Sequence, residues 1–376
     1  MNFAFSEEQE AFRETLRRFL EEKSPTAEVF RLIETPEGHD PAVWKQMAAE
    51  LGLQGLPIPE AYGGQGFGFL ELGIALEEMG RVLLCSPYFS SVCLAASAVL
   101  NAASEKQRSA LLPGIASGET IATLALLEES GSWDPASVGL EYAGEGDDCI
   151  LDGGKRFVTD AAIADLVVVS ARAAGTRGTE GIALLAARTD AAGIEVTPVE
   201  PLDPTRRIAH LHFSGVRAER LGPDAGGAAA LAKTLDQACA CLAAESTGGM
   251  QHCLDSAVDY AKSRVQFARP IGSFQAIKHK CAEVLMELES ARAAACYAIW
   301  AAAEENDELP LAASLAKSFC GDAYLRAAAE SIQIHGGIGF TWEADPQLHY
   351  KRALSSQTLL GDPSRHRARI AELKGF

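Results

Sequence analysis

The sequence predicts an α+β fold laid down in three successive blocks: an all-helical domain over residues 1–120, a β domain over 121–222 and a C-terminal helical bundle over 223–376. Two observations carry that order. Apolar residues recur at helical spacing at both ends of the chain, whereas the middle breaks into short apolar or alternating runs, the period-two pattern of strands. Gly, Asp and Pro clusters separate those runs, as hairpin turns require. The strict strand and helix alternation of a parallel nucleotide-binding sheet is missing.

The chain opens with Ser6-x-x-Gln9, the form of a helix capping box, and Phe12, Leu16, Phe19 and Leu20 follow at helical spacing, with Pro25 just beyond the helix. Helical patterns continue through Trp44–Leu53 and Leu70–Leu84, interrupted by the turn-rich stretch Pro57–Gly66. The strand runs are Ile121–Leu127, Cys149–Leu151, Leu166–Ala171, Ile182–Ala187, Ile194–Val196 and Ile208–Phe213, with Asp152-Gly153-Gly154 among the turns between them. After Gly227, alanine- and leucine-rich segments at 228–263, 274–305, 311–334 and 346–374 predict four helical stretches.

With 376 residues, 48% hydrophobic and 22% charged, the chain has material for more than one packed core. Its net charge of −18 removes the attraction to a phosphate backbone that non-specific nucleic-acid binding needs. The apolar stretches fall far short of the roughly 20 residues that span a bilayer, and Met1–Phe5 leads into an acidic segment, so the reading is of a soluble, cytoplasmic protein without nucleic-acid or membrane partners. The nine cysteines form no CxxC pair and no His/Cys cluster at zinc spacing; buried thiols and no metal site are expected. An anionic ligand would require local positive charge, for which Arg206, Arg207, Arg264, Arg269, Lys278 and His279 are candidates.

Arg264 offers a planar fork of donors suited to a pyrophosphate, and Gln275, beyond the Pro270-Ile271-Gly272 turn, adds an amide; the alternative is a surface arginine in a helix-to-loop turn. Gly336, Gly337 and Gly339 follow a helical segment and lack GxGxxG spacing, which excludes a dinucleotide-binding βα turn. They serve either as helix C-caps or as backbone that a ligand approaches closely. Phe157 reads equally as a β-domain core aromatic, and Thr159 as a strand hydroxyl near a turn.

Four stretches occur in one order along the chain: Glu60-Ala-Tyr-Gly-Gly-Gln-Gly66 with Glu77-Glu-Met-Gly-Arg81, Gly153-Gly-Lys-Arg-Phe-Val-Thr-Asp160, Arg264-Val-Gln-Phe267 with Pro270-Ile-Gly272 and Gln275, and Gln333-Ile-His-Gly-Gly-Ile-Gly-Phe340. In this order the chain resembles the acyl-CoA dehydrogenase family along almost its whole length. The resemblance implies an α-β-α fold ending in a four-helix bundle, FAD as cofactor, an acyl-CoA substrate, an electron-transfer flavoprotein as acceptor and an oligomer. It assigns the flavin-ring side to Leu127, Ser132, Phe157 and Thr159, and further cofactor contacts to Arg264, Phe267, Ile271 and Gln275. Gln333, Gly336 and Gly337 would face the ADP part of FAD in a neighbouring subunit's site.

Family members remove the proton α to a thioester carbonyl with a carboxylate, which must lie within hydrogen-bond reach of that proton. The two positions at which the family keeps this base fall on Ala238 and Leu359, and neither residue can take a proton. Asp236, Glu245 and Asp362 lie nearby, and Asp362, before Pro363, has the form of a turn and helix cap. The flavin-covering segment is also altered, reading Leu127-Glu-Glu-Ser-Gly-Ser-Trp133 where the family has Thr-Glu-Pro-Gly-x-Gly-Ser. The chain is thereby similar to the subunits lacking the base in heteromeric acyl-CoA dehydrogenases that act on steroid or other polycyclic CoA side chains. The resemblance leaves three functions open: a dehydrogenase subunit whose partner brings the base, a homotetramer using an atypical acid such as Asp362, and a non-catalytic FAD- or CoA-binding structural or regulatory subunit.

Overall fold

The capping box forms as expected: Ser6 Oγ accepts the Gln9 N–H at 3.2 Å and Gln9 Oε1 accepts the Ser6 N–H at 3.0 Å, starting α1 (Glu7–Lys23). The computed structural model describes residues 5–145, 148–223 and 226–376. Helices α2 (Thr26–Ile33), α3 (Pro41–Ala49), α4 (Phe69–Arg81), α5 (Ser97–Ala102) and α6 (Glu105–Ala116) complete the first helical stretch, and a π-helical turn, Phe89–Ala96, runs directly into α5. No helix among the described residues is long and apolar enough to cross a membrane.

The strands are β1 (Ala122–Ala125), β2 (Glu141–Glu145), β3 (Asp148–Thr159), β4 (Leu166–Ala173), β5 (Ile182–Arg188), β6 (Ile194–Val199) and β7 (Ile208–Arg220). Strand β4 pairs with β5 along one edge and with β1 and then β2 along the other, and β2, β3, β7 and β5 close the ring back to β4. Closure leaves few free edges to template association. The interior is built by alternation: Val167, Val169 and Ala171 from β4, Ala183, Leu185 and Ala187 from β5, and Ala209, Leu211 and Phe213 from β7.

Two strand expectations are corrected. Strand β2 went unread because only Tyr142 of its five residues is an apolar side chain in the barrel core. Asp152-Gly153-Gly154 is no hairpin turn but lies inside β3, where pairing slips between Leu151 and Gly153. The extra residue belongs to β7, and Asp152 Oδ1 accepts the Gly215 N–H thus displaced, at 2.7 Å.

The last stretch comprises α7 (Gly227–Ser263), a two-stranded hairpin of β8 (Val265–Gln266) and β9 (Arg269–Pro270), then α8 (Gln275–Ala303), α9 (Leu309–His335), α10 (Pro346–Thr358) and α11 (Pro363–Leu373). The segment expected at 346–374 is therefore two helices, parted where Pro363 cannot donate to a continuing helix. The described residues fall into two compact units. One holds the barrel with the stretches Leu32–Gly68 and Cys85–Ala238; the other holds the chain up to Arg31, Phe69–Leu84 and everything from Cys239 on.

In the second, helical unit, α4 and α7 approach to backbone contact. A Cβ on Gly80 would stand 2.0 Å from the Glu245 carbonyl oxygen, and one on Gly248 would stand 1.8 Å from that of Glu77. Around this crossing Glu78, 2% exposed, accepts from Arg13 at 3.1 Å and bidentately from Arg17 at 2.8 and 2.7 Å, while Glu77 accepts from Arg13 at 2.7 Å and from Arg292 of α8 at 3.1 Å. Such carboxylates tolerate burial only because each is met by a guanidinium. Gly248→Ala is expected to destabilise the protein by about 1–3 kcal/mol through overpacking, seen as a fall in Tm by calorimetry. Gly337→Ala, with nothing within 4 Å of its Cβ, should melt as the wild type does; an equal fall in both would contradict the packing account.

Candidate functional site

On the barrel unit the segment bearing Leu127 and Ser132 is fixed by a buried ion pair. Lys155, fully buried, donates to Glu128 Oε1 at 2.6 Å, to the Leu126 carbonyl at 3.1 Å and to Ser170 Oγ at 3.1 Å. Glu128 also accepts the Gly139 and Leu140 N–H groups at 2.8 and 3.0 Å. Burial pushes the Lys155 ammonium down to about 8, the neighbouring Glu128 restraining the fall; burial likewise opposes ionisation of Glu128, but Lys155 and the two backbone donors hold its carboxyl below the usual range. Leu127 is buried and its carbonyl accepts the Arg156 N–H at 2.7 Å, whereas Ser132 is half-buried with Oγ accepting the Asp134 N–H at 3.2 Å.

Strand β3 carries an extra residue between Lys155 and Val158, and this bulge decides where Phe157 goes. Lys155 and Val158 both turn inward, while Phe157 is left 48% exposed at φ +50°, a conformation costly for a bulky side chain. Its N–H donates to His210 Nδ1 at 3.2 Å and its ring meets that imidazole edge-on at 4.9 Å. Phe157 is thus not a core aromatic. Thr159 is buried, and its carbonyl accepts Thr123 Oγ1 at 2.6 Å. A groove of about 660 Å³ on the same unit is lined by Glu128, Glu129, Asp152 and Glu195 with Arg156 and His210, an acidic setting unsuited to a polyphosphate.

On the helical unit, two motifs some seventy residues apart in sequence meet. Tyr260 stacks on His335 at 4.5 Å, and Ala257, Ala261 and Ile334 form a small core that Ile271 and Ile277 join. This core seats the β8–β9 hairpin beside the end of α9. Phe267 and Ala268 turn the hairpin with φ of +53° and +59°, both left-handed although neither is glycine. Phe267, 87% exposed, meets Phe274 edge-on at 6.1 Å, and Arg269 lies over the Phe274 ring at 4.1 Å. Arg264, Gln275 and Gln333 are exposed, and their side chains make no hydrogen bond or ion pair among the described residues. Gln275 opens α8, whose first N–H groups carry the positive end of the helix dipole.

Gly336 caps α9 at φ +65° and ψ −141°, which requires glycine. Gly337 has no such backbone requirement, and a Cβ there would meet nothing within 4 Å. The fold therefore does not need its bareness, while an approaching ligand does. Free guanidinium, amide and helix N-terminal donors beside a side-chain-free backbone fit the pyrophosphate of FAD, and the exposed Phe157 fits an aromatic neighbour of a flavin ring.

Neither residue that the resemblance sets at a base position carries an ionisable side chain. Ala238 is fully buried in α7, and Leu359 is the C-cap of α10. The turn after it is committed to holding the backbone: Leu360 has φ +64°, Lys317 Nζ donates to the Gln357 and Gly361 carbonyls, each at 2.9 Å, and His366 Nε2 bonds the Leu360 carbonyl at 3.0 Å. Burial pushes Lys317 down to about 8. Asp362, exposed, caps α11 by accepting the Arg365 N–H at 2.8 Å. Asp236 is buried, and Glu245 pairs with Arg352, both of them buried. Nothing in the local sequence marks Lys155, between Gly154 and Arg156, as an anchor, whereas Lys317 stands alone as a charge in the run Leu315–Cys320.

Sequence models of the N-terminal, middle and C-terminal domains of acyl-CoA dehydrogenase match residues 6–119, 123–216 and 225–374. The chain is 35% identical over 357 residues to the acyl-CoA dehydrogenase IpdE2 of Mycobacterium tuberculosis, covering 95% of this chain and 94% of that one. Among solved structures, the ChsE4–ChsE5 complex from the same organism superimposes with a TM-score of 0.90 at 25% identity, over 100% of both chains. The Tcur3481–Tcur3483 steroid ACAD superimposes with a TM-score of 0.89 at 29% identity, over 98% of each.

The turn at Leu359 predicts an acid sensitivity. Burial, with Lys317 nearby, pushes His366 from 6.5 down to about 4, and its Nδ1 is buried without an acceptor. The unfolded chain therefore binds a proton that the folded chain refuses, and stability is lost as pH falls from about 6.5 to about 4, by at most about 1.4 kcal/mol per pH unit. Denaturant melts across this window should show His366→Gln losing less stability than the wild type; parallel pH dependences would contradict this.

Proposed function

The chain belongs to the acyl-CoA dehydrogenase family of flavin-dependent oxidoreductases acting on acyl-CoA CH–CH bonds, and we propose that it works as one subunit of a heteromer whose partner chain supplies the catalytic base. The observation that carries this is an asymmetry. Ala238 and Leu359 stand where a carboxylate is needed, whereas Arg264, Gln275, Gln333 and Gly337 keep their donors and bare backbone free. The acids nearest those positions have other work, Asp362 as a cap and Glu245 in an ion pair, which weighs against a self-sufficient homotetramer using Asp362.

In this reading FAD is the cofactor, with Arg264, Gln275, Gln333, Gly336 and Gly337 on its ADP and pyrophosphate side and Leu127, Ser132, Phe157 and Thr159 toward its ring. Phe267 and Ile271 shape the hairpin that carries Arg264. The bound flavin would accept the hydride that leaves the substrate β-carbon. What this chain contributes is binding and orientation: guanidinium and amide donors for phosphate, an outward aromatic, and an apolar Leu127 where the family has a hydroxyl. The substrate would be the CoA thioester of a bulky steroid or related polycyclic side chain, as the similarity to the steroid ACAD supports. The acceptor would be an electron-transfer flavoprotein, and the setting cytoplasmic.

Arg264→Ala is expected to weaken flavin retention by about 1.5–3 kcal/mol, the loss of a charge-assisted contact. The cofactor-free Tm should be unchanged. Flavin content of the purified complex measures this, and full retention would contradict the assignment. The missing base gives a sharper test, because loss of a general base costs about 10²–10⁴-fold in rate. Asp362→Asn in this chain should leave single-turnover flavin reduction by acyl-CoA nearly intact, while removing the partner's carboxylate should abolish it. A hundredfold fall with Asp362→Asn, at unchanged flavin content and Tm, would make this the catalytic subunit.

A further inference from the structure

Within the helical unit, outside the motifs above, His252 of α7 meets Asp345 and His349 at the start of α10. One ligand atom from each lies within 4.8 Å of the other two. His252 Nε2 is 3.0 Å from Asp345 Oδ2, and the two imidazoles stack at 4.4 Å with planes 15° apart. We propose that these three side chains bind a divalent transition-metal ion, of which Zn²⁺ is the type, as a two-histidine, one-carboxylate site that ties α10 to α7.

Three features of the surroundings suit a metal better than a plain hydrogen-bonded pair. Tyr324, buried, bonds His349 Nδ1 at 2.9 Å, which fixes the ring and leaves Nε2 as its coordinating atom, the outer-sphere arrangement usual for ligating histidines. Asp345 occupies the N-cap position of α10 but its side chain makes no cap bond. It turns instead to His252 and to Thr26 Oγ1, at 3.1 Å, giving up a cap that typically stabilises a helix by about 1 kcal/mol. Finally, all three residues line a cavity of about 230 Å³ that also receives Arg17, Glu78 and Arg81, so an ion here would keep a position open to water.

Two imidazoles and a carboxylate select zinc or a similar first-row ion over calcium or magnesium, which favour all-oxygen sites. A tetrahedral ion with ligand bonds of about 2.1 Å needs donors about 3.4 Å apart, so side-chain shifts of the order of an ångström would close the site. The expectation from sequence that the chain holds no metal site rested on local spacing alone, and no local spacing joins residue 252 to 345 and 349.

The test uses the flavin-loaded protein in the assembly in which it purifies, treated with chelator and then titrated with Zn²⁺ by calorimetry and with Co²⁺ by absorption. One saturable equivalent per chain is expected, with Co²⁺ ligand-field bands of a four- or five-coordinate site and a Tm that rises with Zn²⁺ concentration. His252→Gln and Asp345→Asn should each weaken binding at least about tenfold while flavin content is kept. Absence of a saturable equivalent, wild-type affinity in both variants, or only the spectrum of hydrated Co²⁺ would overturn the site and leave a metal-free Asp–His clip. Should neither variant be recovered folded, the wild-type Co²⁺ spectrum decides alone, for or against.

Discussion

The helical unit is organised by the backbone contact between α4 and α7. Gly80 and Gly248 each face a carbonyl of the other helix, at 2.0 and 1.8 Å from where a Cβ would stand, so neither position accepts a side chain. Glu78 is buried beside this crossing and Glu77 largely so, and much of their charge is met from within the protein. Arg13 and Arg17 of α1 and Arg292 of α8 meet it, which ties those helices to the same crossing. Glu245, one turn from Gly248, extends the network to α10 through Arg352. An isolated deletion in such a network costs more than the pair contributes, because the surviving charge stays buried: about 3–5 kcal/mol.

That rigidity has a use. His252 lies one turn beyond Gly248 on α7, and Asp345 and His349 sit on the helix that Arg352 holds, so the proposed metal cluster inherits its geometry from the crossing. The same unit carries the Arg264 hairpin on the end of α7 and the bare Gly336–Gly337 backbone on the end of α9, joined by the Tyr260–His335 stack. Seven described non-glycine residues take a positive φ. Three of them, Phe157, Phe267 and Ala268, lie in segments that the proposed function gives to the cofactor. Each costs of the order of 1–3 kcal/mol, which only a well-determined surrounding structure can hold.

Much of this was legible in the sequence because the physics that sets it is local. The Ser6 capping box, the short apolar runs of β4 and β5, the alternating run of β7, and the Asp362-Pro363 helix start involve residues within a few positions of one another. The inertness of Ala238 and Leu359 toward proton transfer is a property of residue type, and needed no coordinates. The order of the motifs was likewise enough to bring the family into view.

What the sequence could not decide were the outcomes set by partners distant along the chain. Strand β2 is held by pairing with β3 and β4 and not by its own apolar content, and Asp152-Gly153-Gly154 stays in a strand because β7 runs alongside it. Phe157 faces outward only because β3 gains a residue against β7; without that bulge the period of two would have placed it with Lys155, inside. The meeting of His252 with Asp345 and His349 spans ninety-three residues, and the helices that carry them are brought together by packing. Sequence fixes what a residue can do chemically and which local turn it prefers. Which residues share a site depends on long-range burial and pairing, whose energies no short window of sequence contains.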